Sequence, residues 1–198
     1  LELFETKKDL ENVYTSWDII SGDVKLSDNI LIYDEAGDHT GMQSAEIAIK
    51  EGSTVEFMTP DRLISSEIMG MNLTPYLKNL QNKKITYSIA KRLLDVSIKG
   101  NKLNAIIGSD YDENFKYNSS YDQVFLNYGI KPLDELYFNL VPYSKNKGEI
   151  DYKKFINGEA QDIISDNKQF NLFRIGDAVS SRNIHAAIYD ALRLVINL

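Results

Sequence analysis

Apolar positions along this chain fall into short runs of two kinds, fully apolar and helically spaced. The first clear run is 29–34, where Ile30-Leu31-Ile32-Tyr33 is apolar at every position, the pattern of a strand buried on both faces of a parallel sheet. The loop Glu35-Ala36-Gly37-Asp38-His39-Thr40-Gly41 follows, and 42–51 then carries Ala45, Ile47, Ala48 and Ile49 in a helical pattern that Gly52 ends. Residues 54–59 read as a second strand stopped by Pro60. Such a strand–loop–helix–strand unit of about 30 residues is the size of one βαβ crossover. A second helix is expected to begin near Thr74-Pro75, where proline suits a first helical turn, and to run to Asn82. From Lys84 the pattern changes to short strand-like runs at 85–87, 92–98, 103–107, 114–117 and 123–128, with turn chemistry at Gly100-Asn101 and 110–113. They read as a β-meander followed by one more sheet strand. Ahead of all this, 9–20 carries a mixed helical pattern closed by the turn Ser21-Gly22-Asp23. Behind it, 133–140 reads as a short helix ended by Pro142, 143–169 as a polar surface excursion with a short helix near 152–156, 172–175 as a buried strand and 184–198 as a closing helix. Alternating α and β units followed by a meander predict an α/β fold, a Rossmann-like three-layer nucleotide-binding domain.

Two segments carry candidate chemistry. Near the C-terminus, the apolar residues Leu172, Phe173 and Ile175 stop at Gly176-Asp177, small and hydroxylated residues follow, and an amphipathic pattern runs on from there. A strand would thus deliver a glycine and a carboxylate to the N-terminal end of a helix, whose free N–H groups and partial positive charge suit a phosphate or a ribose. Ser180 or Ser181 is the capping candidate; Arg182 is placed to meet a phosphate, Asp190 or a neighbouring subunit; His185 is expected to pack. The second segment is the loop after the first strand, where a dinucleotide fold carries G-x-G-x-x-G. Here only Gly37 and Gly41 remain, at the wrong spacing, and Asp34, Glu35 and Asp38 stand where a pyrophosphate would sit. Like charges about 4 Å apart repel by roughly 4 kcal/mol at an intermediate dielectric. The loop is therefore expected to keep the fold and to have lost tight dinucleotide binding, with Gly37 and Gly41 its remaining candidate contacts. The acid that ends the second strand in such folds is displaced here to Asp61, beside Arg62. His39 reads as an exposed loop residue paired with Asp38 or Asp34, its alternative being proton transfer.

Composition narrows this picture. The 198 residues hold one large domain or two small ones, with 43% hydrophobic and 26% charged residues. A net charge of −7 argues against a nucleic-acid partner. With no cysteine there is no disulfide, thiolate metal site or iron–sulfur cluster in these residues, and His39 and His185 make a poor metal set. The acidic runs 110–113 and 134–135 read as solvated turns rather than cation sites. No apolar run reaches membrane-spanning length and no signal peptide opens the chain, so a cytoplasmic protein with no membrane contact is expected. The first residue is Leu rather than Met, which points to a piece of a longer protein.

The segment Gly176-Asp177-Ala178-Val179-Ser180-Ser181-Arg182-Asn183-Ile184-His185-Ala186-Ala187-Ile188-Tyr189-Asp190-Ala191 resembles the Gly-Asp motif that closes the nucleotide fold of two-domain flavoprotein reductases. More closely, it resembles the C-terminal region of the trimethylamine dehydrogenase and dimethylglycine/N-methylproline demethylase branch of the NADH:flavin oxidoreductases, relatives of 2,4-dienoyl-CoA reductase. The resemblance covers nearly the whole chain. It implies a leading segment from a flavin-type domain at 1–27, an NAD(P)-binding-like inserted domain at 28–130, and a return to the flavin-type domain, with its strand, helix and Gly-Asp motif, at 131–198. It also implies a flavin mononucleotide and an iron–sulfur cluster held by an N-terminal barrel outside this chain. Gly176 and Asp177 would lie by the hydroxyls of an ADP, FAD or NAD(P) nucleotide, with Arg182 near phosphate. The implied partners are the protein's own barrel, an electron-transfer protein acceptor and further copies of itself. The whole enzyme would oxidise an N-methylated amine, and the present residues alone would be inactive. An NAD(P)H-dependent flavin reductase of the dienoyl-CoA type and a non-catalytic Rossmann-like interaction module are the rival readings.

Overall fold

The computed structural model describes residues 7, 9–162 and 170–195. Two compact units are present, Leu1–Gly129 and Ile130–Leu198.

The first unit is built on β2 (Asn29–Asp34), whose residues are buried from Ile30 onward. Because successive side chains in a strand point to opposite faces, this strand feeds two cores. Ile30 and Ile32 join one apolar cluster and Leu31 and Tyr33 the other. Around it lies a five-stranded sheet in the order β1-β8-β2-β3-β4, formed with β1 (Val13–Thr15), β3 (Thr54–Met58), β4 (Ile85–Ser88) and β8 (Gln123–Asn127). Every pairing is parallel, with Ile32 opposite Phe57 on one side and Phe125 on the other. One face is covered by helices α1 (Ser16–Ser21), α2 (His39–Lys50) and α3 (Gly70–Leu80). Met42, Ala45 and Ala48 recur at helical spacing along α2 and bury against Ile30, Ile32 and Phe57. On the other face, the antiparallel meander β5 (Arg92–Lys99), β6 (Lys102–Gly108) and β7 (Tyr117–Tyr121) contributes Leu93, Val96, Leu103, Ala105 and Ile107 to a cluster with Leu31, Tyr33 and Met58. The three layers of the expected α/β fold are thus helices, parallel sheet and meander.

Several boundaries differ from the sequence reading. Residues 13–15 are strand where helix is expected, because β1 pairs with β8 and adds a fifth strand at the sheet edge. The unit therefore takes in residues assigned to the leading segment. Helix α3 starts at Gly70, so Pro75 lies inside it rather than in its first turn. The fourth meander run moves from 114–117 to Tyr117–Tyr121, in register with β6.

The second unit carries α4 (Glu135–Leu140), a 3-10 turn at Val141–Tyr143, α5 (Tyr152–Asn157), a 3-10 turn at Gly176–Ala178 and α6 (Ile184–Val195). Residues 196–198 of the expected closing helix lie outside the described residues. The run 172–175, read as a strand, has no ladder partner among the described residues. A strand needs a neighbouring backbone, and here the buried Asn146 side chain stands in for one: its amide nitrogen donates to the Leu172 carbonyl (2.7 Å) and its oxygen accepts from the Leu172 N–H (2.8 Å). Among the described residues of this unit Leu194 is the one buried hydrophobic, whereas Leu133, Leu136, Ile156, Ile184, Ile188 and Val195 are more than half exposed. No helix of the described residues is long and apolar enough to cross a membrane.

Candidate functional site

The loop between β2 and α2 lies at the carboxyl ends of the parallel strands, where open α/β sheets bind ligands. Its carboxylates are engaged with one another's surroundings. Asp34, the last residue of β2, is fully buried. Its Oδ1 accepts from the Gly37 N–H (3.0 Å) and from the Asn127 amide (2.9 Å), while Oδ2 is buried without a partner. Burial pushes the Asp34 carboxyl up to about 6, with the Gly37 and Asn127 hydrogen bonds opposing and the Asp38 charge adding. Asp38 caps α2 by accepting from the Thr40 N–H (3.0 Å), and it shares the Asn127 amide with Asp34 (3.0 Å). Asn127 ends β8; its side-chain oxygen accepts from the Ser16 hydroxyl (2.9 Å), and its carbonyl accepts from the Glu35 and Ala36 N–H groups (2.9 and 3.1 Å). Glu35 turns away to the Arg92 guanidinium (2.7 Å), which also pairs with Asp110.

The two glycines here, Gly37 in the loop and Gly41 in the first turn of α2, serve packing. A Cβ on Gly41 would stand 2.9 Å from the Asp34 carboxyl carbon. Gly37 has a left-handed backbone (φ +67°), its carbonyl accepts from the Glu67 N–H (3.0 Å), and a Cβ there would stand 2.7 Å from the Ser66 hydroxyl. A diphosphate at this helix end would meet the Asp38 carboxylate already seated on it, with the Asp34 carboxyl directly beneath Gly41. An anion site at a helix terminus needs open N–H groups and no competing negative charge. This arrangement does not fit a pyrophosphate. His39 is exposed and bonds Tyr76 through Nδ1 (3.1 Å), rather than Asp34 or Asp38.

The remaining predicted residues lie together in the second unit. Gly176 is buried with φ +57°, and a Cβ there would lie 3.2 Å from the Ala187 Cβ. Its carbonyl accepts from the Val179 and Ser180 N–H groups (2.9 and 3.2 Å). Asp177 is exposed; its nearest donor is the Arg182 backbone N–H at 3.4 Å. An exposed carboxylate is a hydrogen-bond acceptor open to hydroxyl donors. The α6 cap is Asn183, whose side chain accepts from the Ala186 N–H (2.9 Å), in place of Ser180 or Ser181. Arg182 pairs with Asp190, which also accepts from the Gly176 N–H (3.2 Å). His185, expected to pack, is exposed and lines a shallow groove with Ile188, Tyr189 and Leu192. Gly37 and Gly41 are thus grouped in the first unit, and Gly176, Asp177 and Arg182 in the second.

Sequence reasoning passed over Asn127 and Arg92, and it named Asp190 as one candidate partner of Arg182 but missed its bond to the Gly176 N–H. Asn127 had a readable signal, a polar residue closing the apolar run 124–126 at the carboxyl end of a parallel strand. Asp190 had one too, a carboxylate in line with Ala187 and Leu194 on the inward stripe of a helix. Arg92 had none, because its partners Glu35 and Asp110 are remote in sequence.

No family model matches the chain. It is 51% identical over 186 residues to a probable N-methylproline demethylase of Rhizobium meliloti, covering 93% of this chain and 27% of that protein. It is 31% identical over 196 residues to the N,N-dimethylglycine/sarcosine dehydrogenase of Chromohalobacter salexigens, covering 96% of this chain and 28% of that protein. The chain thus spans little more than a quarter of the curated relatives it matches. Among solved structures, 6-hydroxypseudooxynicotine amine oxidase of Pseudomonas geniculata N1 superposes with a TM-score of 0.69 at 18% identity, over 96% of this chain and 25% of that one, a likeness of fold.

Proposed function

From its homology to the C-terminal region of the N-methylproline demethylase and dimethylglycine dehydrogenase type of trimethylamine dehydrogenase-like flavoproteins, we propose that this chain is the nucleotide-fold region of an amine-oxidising flavoenzyme, and that it carries no catalytic residue itself. Flavin mononucleotide and an iron–sulfur cluster would be held by residues outside this chain, where they would supply hydride acceptance and electron relay for oxidation of an N-methylated amine. The present residues build the platform. The first unit keeps the three-layer fold without a dinucleotide, and the second presents Asp177 to the hydroxyls of an ADP-type nucleotide. Its exposed apolar side chains pack against the protein's own barrel region. Electrons leave to a protein acceptor in a cytoplasmic homo-oligomer.

One observation carries the choice over an NAD(P)H-dependent reductase. The Asp34–Asn127–Asp38 network occupies the helix end that a pyrophosphate would need. Calorimetric titration of the chain, and of the longer protein that carries it, with NADH and ADP tests the reading. NADH is expected to bind neither more tightly than roughly millimolar. ADP is expected to bind the longer protein and to lose affinity in Asp177→Ala. Micromolar NADH binding would instead establish a reductase. Absence of all nucleotide binding from the longer protein would favour an interaction module.

A further inference from the structure

We propose that Asp190 is a positioning residue for the Gly176–Asp177 turn, and that Arg182 belongs to the same clamp instead of serving as a phosphate ligand. Its meaning for function rests on the reading of Asp177 as the nucleotide contact. Asp190 sits in the body of α6 and is 8% exposed, in line with Ala187 and Leu194. A carboxylate there is costly unless its oxygens are paired. Both of its recorded partners lie on the preceding turn, at opposite ends. Oδ2 accepts from the Gly176 N–H at the start of the turn and from the Arg182 guanidinium at its end. The same helix supplies the Ala187 methyl, which would stand 3.2 Å from a Cβ at Gly176.

Residues 176–182 are therefore an arch tied to α6 at each foot. Gly176 holds the left-handed conformation that turns the chain, its carbonyl closes the 3-10 turn through Val179 and Ser180, and the Arg182 N–H faces Asp177 Oδ1. The Asp177 carboxylate, the one acid among residues 176–182, is exposed and is not tied to the helix. A ligand reaching it would meet a carboxylate whose backbone is already ordered, and would not bear the cost of ordering it. One guanidinium nitrogen of Arg182 is engaged by Asp190, whose negative charge offsets the attraction of Arg182 for a phosphate.

Amide hydrogen exchange followed by NMR on the 198-residue protein tests the clamp without any ligand. In Asp190→Asn the Gly176 amide is expected to exchange about tenfold faster or more, since a bond to a charged acceptor is replaced by a neutral one and the Arg182 tie is weakened. Amides of the first unit should be unchanged. Unchanged exchange at Gly176, with α6 still protected, overturns the proposal. Should Asp190→Asn strip protection from all of α6, Arg182→Gln decides. Faster exchange at both Gly176 and Arg182 with α6 intact supports the clamp, and unchanged exchange at both refutes it. An ADP titration of the longer protein separates this claim from the one beneath it. If the wild type binds ADP, Asp190→Asn should weaken it about as much as Asp177→Asn does, and an undiminished affinity counts against positioning. If the wild type binds none, the nucleotide reading of Asp177 fails, while the Gly176 exchange rate still judges the clamp.

Discussion

Asp34 sets the acid–base behaviour of the first unit. Its carboxyl is lifted from 3.8 to about 6 by burial, so between those values the folded protein holds a proton that the unfolded chain has released. Stability from this group is therefore greatest below about pH 4 and falls as pH rises through about 6, by about 3 kcal/mol over the whole window. Asp34→Asn keeps an oxygen for Gly37 and Asn127 and places its amide at the partnerless Oδ2 position. It is expected to flatten this dependence and to stabilise the protein at pH 7 by about 1–2 kcal/mol, the unpaired amide offsetting part of the gain. Urea unfolding at pH 4.5 and 7 measures it; parallel losses in both proteins would assign the proton elsewhere. Gly41→Ala meets the same carboxyl from above. Its methyl would stand 2.9 Å from the Asp34 Cγ, which is walled in, so a loss of about 1–3 kcal/mol is expected. A substitution that left stability unchanged would mean that the loop is looser than its contacts indicate.

Among the elements, β8 does more than complete the sheet. It lies between β1 and β2 and ends in Asn127, which ties α1 through Ser16, the end of β2 through Asp34 and the α2 cap through Asp38. Removing that side chain frees three groups at once, two of them carboxylates. Asn127→Ala is expected to lower unfolding stability by about 2–4 kcal/mol. Asp38→Ala removes only the cap and one of these bonds and should cost about 1 kcal/mol. Equal losses in the two variants would show that the network acts only through the helix cap. The meander adds a second tie. Arg92, which opens β5, holds Glu35 of the loop and Asp110 beyond β6, and these partners raise its already high basicity.

The two units differ in how far each is complete in itself. Among the described residues, the first buries some two dozen apolar side chains in two clusters, whereas the second buries Leu194 and sets most of its large apolar residues in water. Full burial of one such side chain is worth about 1.5–3 kcal/mol, and an exposed set of this size is what the proposed packing against a barrel region would cover. Ile184→Gln combined with Ile188→Gln should leave the first unit's unfolding unchanged and reduce binding of an apolar dye to the chain. In the longer protein the same pair should lower stability by about 2–5 kcal/mol. If the longer protein tolerated the pair without loss, this face of α6 would be free there as well.

What the sequence alone determined was whatever depends on near neighbours. The unbroken apolar run of β2, the helical spacing of α2 and the turn residues between β5 and β6 are local patterns, and each forms where its pattern lies. The acidity of the 34–38 loop was legible for the same reason. Pairing across long separations was decided only by the tertiary structure. Val13–Thr15 become a strand because β8 offers them a ladder, and among the described residues no strand lies beside 172–175. For Arg182 the sequence left a phosphate, Asp190 and a neighbouring subunit open, and Asp190 is selected only when α6 packs back on the turn. Hydrogen bonds and ion pairs are short-ranged, so which polar group a residue satisfies depends on where the folded chain brings it.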